Sequence, residues 1–371
     1  MTSKERMLRA YRGEKTDRIP VAPEFWNYIG AKTLGVTMEE FERDGLLPVG
    51  LLTAFQKYDT DGWGIAFPSV TWHDRKTEEI TRRLPSGQLE AETRYTWHGK
   101  TFSTVSLFDK SEPSWVTKYL AVEDEIADAA QMCLSQEVEY DVTAMNEIYH
   151  KVGSSYLCEV WTGTPFFDFI EGIAGFENAV NFFYDEDEDN LQALLAQYTA
   201  HQLHMIDTLI DNTPYESYFI GCSSSCNSLI GPHMWRKWDK PYIQAVADHL
   251  HSRGKLLHVH FHGKSIETVE DFAQIGIDCV CPFERGPGGD IDTDEELTLV
   301  RKALERKTTF NGNIHTVNTL LNGTPEDVRR EVRQIKEIFQ GSDRLIIGTG
   351  DQVAGDTPEE NIYAMIDEAR K

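Results

Sequence analysis

Apolar positions in the second half of the chain follow two alternating rhythms. Short, nearly continuous apolar runs at Tyr218–Cys222, Lys255–His262, Asp278–Glu284, Thr308–Ile314 and Arg344–Thr349 read as strands buried on both faces. Between them, Pro232–Arg253, Ser265–Ile275 and a stretch from about Thr293 carry apolar residues at helical spacing. Gly254 is a helix stop. Thr324-Pro325-Glu326-Asp327 combines a capping hydroxyl, an early proline and first-turn acids, and Thr357-Pro358-Glu359-Glu360 repeats that chemistry; each predicts a helix start. Consecutive strand–helix units predict a parallel sheet with helical crossovers. Ile19–Pro23 and Tyr156–Trp161 are earlier strand candidates. Between these two, Glu78–Ser106 alternates polar and apolar residues and contains the turn signals Pro85-Ser86-Gly87 and His98-Gly99-Lys100. It predicts an antiparallel hairpin, inserted at about residues 75–110.

Composition narrows the function. The 371 residues fit two ordinary domains or one α/β barrel with insertions. The formal charge of −25, from 61 acidic and 36 basic side chains, opposes nucleic-acid and anionic-membrane partners. The chain has no apolar run of membrane-spanning length and no signal-peptide core after Met1, so a cytoplasmic location is expected. The acidic run Tyr184–Asp189 lacks calcium-loop spacing and reads as a solvated helix cap. Six cysteines in a chain of this size are expected to be thiols. Cys222 and Cys226 have loop-like spacing that could chelate. Cys279 and Cys281 alternate in an apolar strand, where cysteine usually acts as a small hydrophobe.

Chemistry concentrates in Leu256-Leu257-His258-Val259-His260-Phe261-His262-Gly263. Strand alternation puts His258, His260 and His262 on one face. Buried imidazoles need partners, and a zinc-like ion satisfies such a row well; the plainer reading is that some of these rings hydrogen-bond to loops. In parallel barrels the reactive rim lies at the carboxyl ends of the strands. The strand assignments deliver Glu24–Trp26, Glu159–Trp161, Cys222, His260 with His262, Pro282–Glu284, Asn311–His315 and Gly348–Asp351 to that rim. Glu284 could instead pair with Arg285, Asn313 could brace a turn, and His315 could cap a loop. Trp26, Trp161 and Phe166 serve either as core or as a substrate wall.

Asp17-Arg18-Ile19-Pro20-Val21, Gly312-Asn313-Ile314, the stretch from Leu321-Asn322-Gly323-Thr324 to Val328, and Thr349-Gly350-Asp351 through Ile362 together resemble the uroporphyrinogen decarboxylase superfamily. The resemblance implies a single (β/α)8 TIM-barrel domain over 1–371, carrying the inserted hairpin. The superfamily contains cofactor-free decarboxylases and zinc-dependent methyltransferases that work with a corrinoid. Decarboxylases grip substrate carboxylates with an arginine-rich amino-terminal segment, whereas Pro23-Glu24-Phe25-Trp26-Asn27-Tyr28 has no arginine and one acid. Methyltransferases acting on coenzyme M have His-x-Cys-Gly and a later cysteine. Here His260-Phe261-His262-Gly263 and Gly350-Asp351 stand at those places, with His262 and Asp351 replacing the two thiols. Nitrogen and carboxylate ligands leave zinc a harder Lewis acid, suited to an oxygen leaving group.

The resemblance therefore implies a methyltransferase moving a methyl group from a small methylated donor, such as a methoxylated aromatic, to a corrinoid (cobalamin) carried by a partner protein. The expected zinc ligands are His260, His262 and Asp351, with Glu284 as fourth ligand or proton handler. Glu284, His315 and Asn313 are the catalytic candidates, and Trp26, Trp161, Phe166 and Cys222 the substrate-binding candidates. A homodimer is compatible with this reading. The alternative is a uroporphyrinogen decarboxylase-like enzyme acting without a cofactor on a porphyrinogen or other carboxylated substrate. A non-catalytic barrel that captures a corrinoid is a third reading.

Overall fold

A computed structural model describes residues 1–371. Its strands are β1 (Trp63–Ala66), β2 (Ser69–Trp72), β3 (Arg75–Arg83), β4 (Leu89–Trp97), β5 (Lys100–Phe108), β6 (Trp115–Lys118), β7 (Val138–Asp141), β8 (Leu157–Trp161), β9 (Ser217–Cys222), β10 (Leu256–Phe261), β11 (Cys279–Pro282), β12 (Thr309–Ile314) and β13 (Leu345–Thr349). Seven of them form one curled parallel sheet in the order β1-β8-β9-β10-β11-β12-β13, with helices in the crossovers, a TIM-barrel-like arrangement. Its strands are buried along their length from β8 to β13, apart from half-exposed Trp161, which explains their almost unbroken apolar sequence.

The eighth place in the barrel is irregular. Val21 makes one parallel bridge to Ile347 of β13, and Ala22 N–H donates to the Ile347 carbonyl at 2.9 Å. On its other side Val21 N–H donates to the Asp61 carboxylate at 3.0 Å, where a strand ladder to β1 would otherwise continue. Asp61 also accepts from Arg6 and Arg18, each at 2.5 Å. A side chain and two guanidinium groups thus do the joining that backbone pairing does elsewhere. Pro20 and Pro23 lack donors, which accounts for the missing ladder.

The insertion is larger than the single hairpin expected at 75–110. Strands β3, β4, β5 and β6 form a four-stranded antiparallel sheet, and β2 pairs with β7 outside it. Sequence alternation is weak in Trp115–Lys118 because all four residues are exposed, so no pattern marked this strand. Trp72 and Tyr95 from these strands line a cavity of about 570 Å³ with Thr164 and Ser223, which follow β8 and β9. The inserted sheet therefore overhangs the carboxyl ends of two barrel strands.

The helix starts at Thr293 and Thr324 are closed capping boxes, each threonine accepting from the backbone three residues on. Thr357 does not repeat this. The last helix runs Glu359–Arg370 after Pro358, and the Thr357 hydroxyl is buried without a partner, two residues short of the helix. No helix is long and apolar enough to cross a membrane.

Candidate metal centre at the strand ends

Register fixes which side chains meet. His258 aligns with Phe219 of β9 and Cys279 of β11, and His260 with Gly221 and Cys281. Aligned residues in parallel strands point to the same face, so Cys279 and Cys281 enter the barrel interior with the histidines. Cys222 aligns with Phe261 and faces the helical layer instead. It is fully buried, so the expected substrate contact is corrected by strand parity.

The interior forms a continuous polar column. Ser217 donates to Glu159 at 2.6 Å, and Glu159 lies 2.9 Å from His258 Nδ1. Tyr11 Oη is 3.0 Å from the same nitrogen. His258 Nε2 and His260 Nδ1 lie 3.1 and 3.2 Å from the Cys281 thiol. His260 Nε2 is 2.6 Å from His262 Nε2, and His262 Nδ1 contacts Glu284. Trp63 and Phe219 close edge-on around His258, and Trp26 lies edge-on to His260.

Candidate ligand atoms fall into two triads, each with its atoms within 4.8 Å of one another. The rim triad is His262, Glu284 and Asp351. The deep triad is Glu24, His260 and Cys281. Every rim residue sits just past a strand end: His262 one residue beyond β10, Glu284 two beyond β11, Asp351 two beyond β13. Glu24 follows the Val21 bridge, its N–H donating to Thr349 Oγ1 at 3.0 Å. Two bulky residues beside the triads adopt left-handed backbone, Trp26 at φ 27° and Phe283 at φ 48°. Such strain in non-glycine residues concentrates where the chain must aim a side chain.

Electrostatics reflect the crowding. Burial, reinforced by His262 and His258, holds His260 well below the ordinary imidazole range. Burial opposes charge on His262 too, but the Glu284 hydrogen bond and the negative field of Glu284, Asp351 and Glu24 lift it to about 9. One proton shared across the short Nε2–Nε2 contact suits this opposition. Burial, then the nearby Asp351 charge, pushes Glu24 up to about 8, and burial also raises Asp351. Burial and Glu24 raise the Cys281 thiol.

The other sequence candidates separate. Trp26 joins the site: its indole N–H donates to Glu24 at 3.0 Å. Trp161 is half-buried and packs on Phe219 and Phe67. Phe166 is fully buried among Phe183, Tyr198 and Trp238. It is core, because the helix it starts turns that face inward. His315 caps the turn Thr316–Leu321, both ring nitrogens engaged by Asn318, so its ring is committed to the loop. Asn313 braces the β11 exit, donating to the Phe283 carbonyl at 2.9 Å. The sequence brings Glu24 to the rim without a ligand role and favours Cys281 as a small hydrophobe over a ligand; joining them with His260 needs the register to β10.

Residues 104–371 match the uroporphyrinogen decarboxylase (URO-D) family, well over half of the chain. This protein belongs to that family. Among solved structures it resembles a methyltransferase from Methanosarcina mazei, with 16% identity, a TM-score of 0.65, and coverage of 100% of this chain and 98% of that one. At that identity the likeness establishes the shared fold. A dipeptide epimerase from Methylococcus capsulatus, solved with a magnesium ion, matches at 9% identity over 80% of this chain and 79% of that one, but its TM-score of 0.27 carries no argument. No curated protein matches the sequence.

Proposed function

We propose that this single-domain barrel is a zinc-dependent methyltransferase that takes a methyl group from a small methylated donor, a methoxylated aromatic in the form we favour, and passes it to a corrinoid carried by a partner protein. The supporting observation is the convergence of His262, Glu284 and Asp351 from three different strand ends on one point of the rim; His260, expected as a ligand of the same ion, touches this group only through its 2.6 Å Nε2 contact with His262 and otherwise belongs to the deep triad. The donor set fits zinc: one imidazole and two carboxylates, with His262 still 27% exposed so that one side remains open. Zinc bound there would supply Lewis-acid activation of the departing ether oxygen.

The chain's own groups have defined tasks in this reading. Glu284 accepts from Gly263 N–H at 3.2 Å and contacts His262 Nδ1, which turns His262 Nε2 toward His260. Asp351 supplies negative charge, its carboxylate fixed by the Gln352 N–H at 2.6 Å. Trp26 and Phe219 wall the inner side and keep water from it. Asn313 positions the Glu284 loop through the Phe283 carbonyl.

A porphyrinogen decarboxylase would need free cationic partners for many carboxylates. Arg6 and Arg18 are held by Asp61, and Arg285 is turned to Glu331. Purified protein is expected to carry zinc and to demethylate a methoxylated aromatic when a reduced corrinoid is supplied, losing turnover on chelation and regaining it with zinc. Undiminished turnover in metal-free protein, or carboxyl loss from uroporphyrinogen, would overturn the proposal.

A further inference from the structure

The deep triad differs in kind from the rim. Glu24 is 2% exposed, and its Oε1 makes no hydrogen bond, although Oε2 accepts from Trp26. A buried carboxyl oxygen without a partner is costly. What distinguishes this atom is what it faces. Oε1 lies 3.6 Å from His260 Nδ1, and that nitrogen lies 3.2 Å from the Cys281 thiol. Ligands held at about 2.0–2.3 Å around a tetrahedral ion stand roughly 3.3–3.8 Å apart, so these separations are close to tetrahedron edges.

The imidazole orientation separates the two triads. His260 directs Nδ1 down to Glu24 and Cys281, and Nε2 up to His262. The rim triad is complete without it. Beneath, His258 supports Cys281 through Nε2 at 3.1 Å while Glu159 and Tyr11 hold its other nitrogen. His258, itself held by a carboxylate, thereby fixes the orientation of the Cys281 thiol, as outer partners do for metal ligands.

We propose that Glu24, His260 and Cys281 form a second cation site beneath the rim, selective for a thiophilic divalent ion such as zinc. It extends the proposed reading of this rim as a metal centre but does not depend on the methyl donor or acceptor. A thiolate in the set makes it softer than the all-nitrogen and oxygen rim, so the two positions differ in preferred metal. The rim favours harder ions, and the deep triad retains the soft ion under competition.

Cobalt(II) substitution of the full-length, chelator-treated protein tests the assignment, because a thiolate ligand to cobalt gives a near-ultraviolet charge-transfer band that nitrogen and oxygen ligands do not. The wild type is expected to show the band. Cys281→Ser is expected to abolish it while still binding cobalt at the rim, and Cys222→Ser to retain it. Glu24→Gln is expected to weaken the band-forming cobalt affinity by about tenfold or more, which keeps the test decisive if Cys281→Ser fails to fold by circular dichroism. Cobalt binding without the band in wild-type protein, or a band that survives Cys281→Ser, overturns the deep site and leaves the rim reading intact. No cobalt binding at all overturns both.

Discussion

Asp61 and Glu24 are both carboxylates at the barrel's irregular seam, and both are almost completely buried, yet their surroundings are opposite. Asp61 accepts from Arg6, Arg18 and the Val21 N–H, which leaves neither oxygen idle. Glu24 receives only the Trp26 indole and leaves Oε1 bare beside an imidazole and a thiol. The first arrangement is what a structural joint requires: charge enclosed and neutralised by its own chain. The second is incomplete as a joint but coherent as a ligand set. Satisfaction of hydrogen bonds, rather than burial or charge, separates the two roles.

The contrast can be broken most strongly at Asp61. Asp61→Ala leaves two guanidinium groups and a backbone donor unpaired at the seam, and is expected to cost about 3–5 kcal/mol of unfolding free energy. A loss under about 1 kcal/mol in urea denaturation would show that the seam is held by other means. Glu24→Gln is the counterpart. In metal-free protein it removes a carboxylate oxygen that bonds nothing, and it is expected to leave stability unchanged or raise it by up to about 1 kcal/mol. Destabilisation comparable to Asp61→Ala would erase the distinction.

A second pair of buried acids sharpens the point through pH. Burial pushes Asp168 and Asp239 each up to about 7, although Asp168 accepts from Ser223 and Ser225 N–H and Asp239 from Phe167 N–H. The unfolded value is about 3.9. Between those values the folded protein holds protons that the unfolded chain has released, so their contribution to stability falls as pH rises from about 4 to about 7 and is level above. Asp239→Asn is expected to flatten that decline, read as a smaller drop in Tm between pH 5 and pH 8 than in wild type. Parallel profiles would contradict the assignment. The smallest effect is expected at Cys222. Cys222→Ala should cost about 1 kcal/mol as a core trim and leave metal content unchanged; lost metal would mean that its face had been misjudged.

Much of this architecture is legible in the chain. Apolar runs with helical spacing between them predict the parallel sheet, and the histidine alternation in β10 singles out the strand at the centre of both triads. Glu284 and Asp351 stand beside His262 because carboxyl-end placement follows from strand boundaries alone. What the chain conceals is parity between neighbouring strands. Cys281 looks like a small core residue until its alignment with His260 is known, and Cys222 looks available until its alignment with Phe261 turns it outward. Glu24 reaches the rim from the Ile19–Pro23 strand candidate, but its neighbours stay hidden, because that segment is tied by one bridge and a side chain rather than by a ladder. Phe166 shows the opposite error, an aromatic near a strand end whose helix buries it. The inserted sheet was underestimated because its last strand is wholly exposed.

The most direct test of the metal centre is an anomalous-difference map, recorded at the zinc edge from crystals grown with zinc. The account predicts a peak within ligand distance of His262, Glu284 and Asp351. Those side chains clasping only water, or pointing apart, would contradict it.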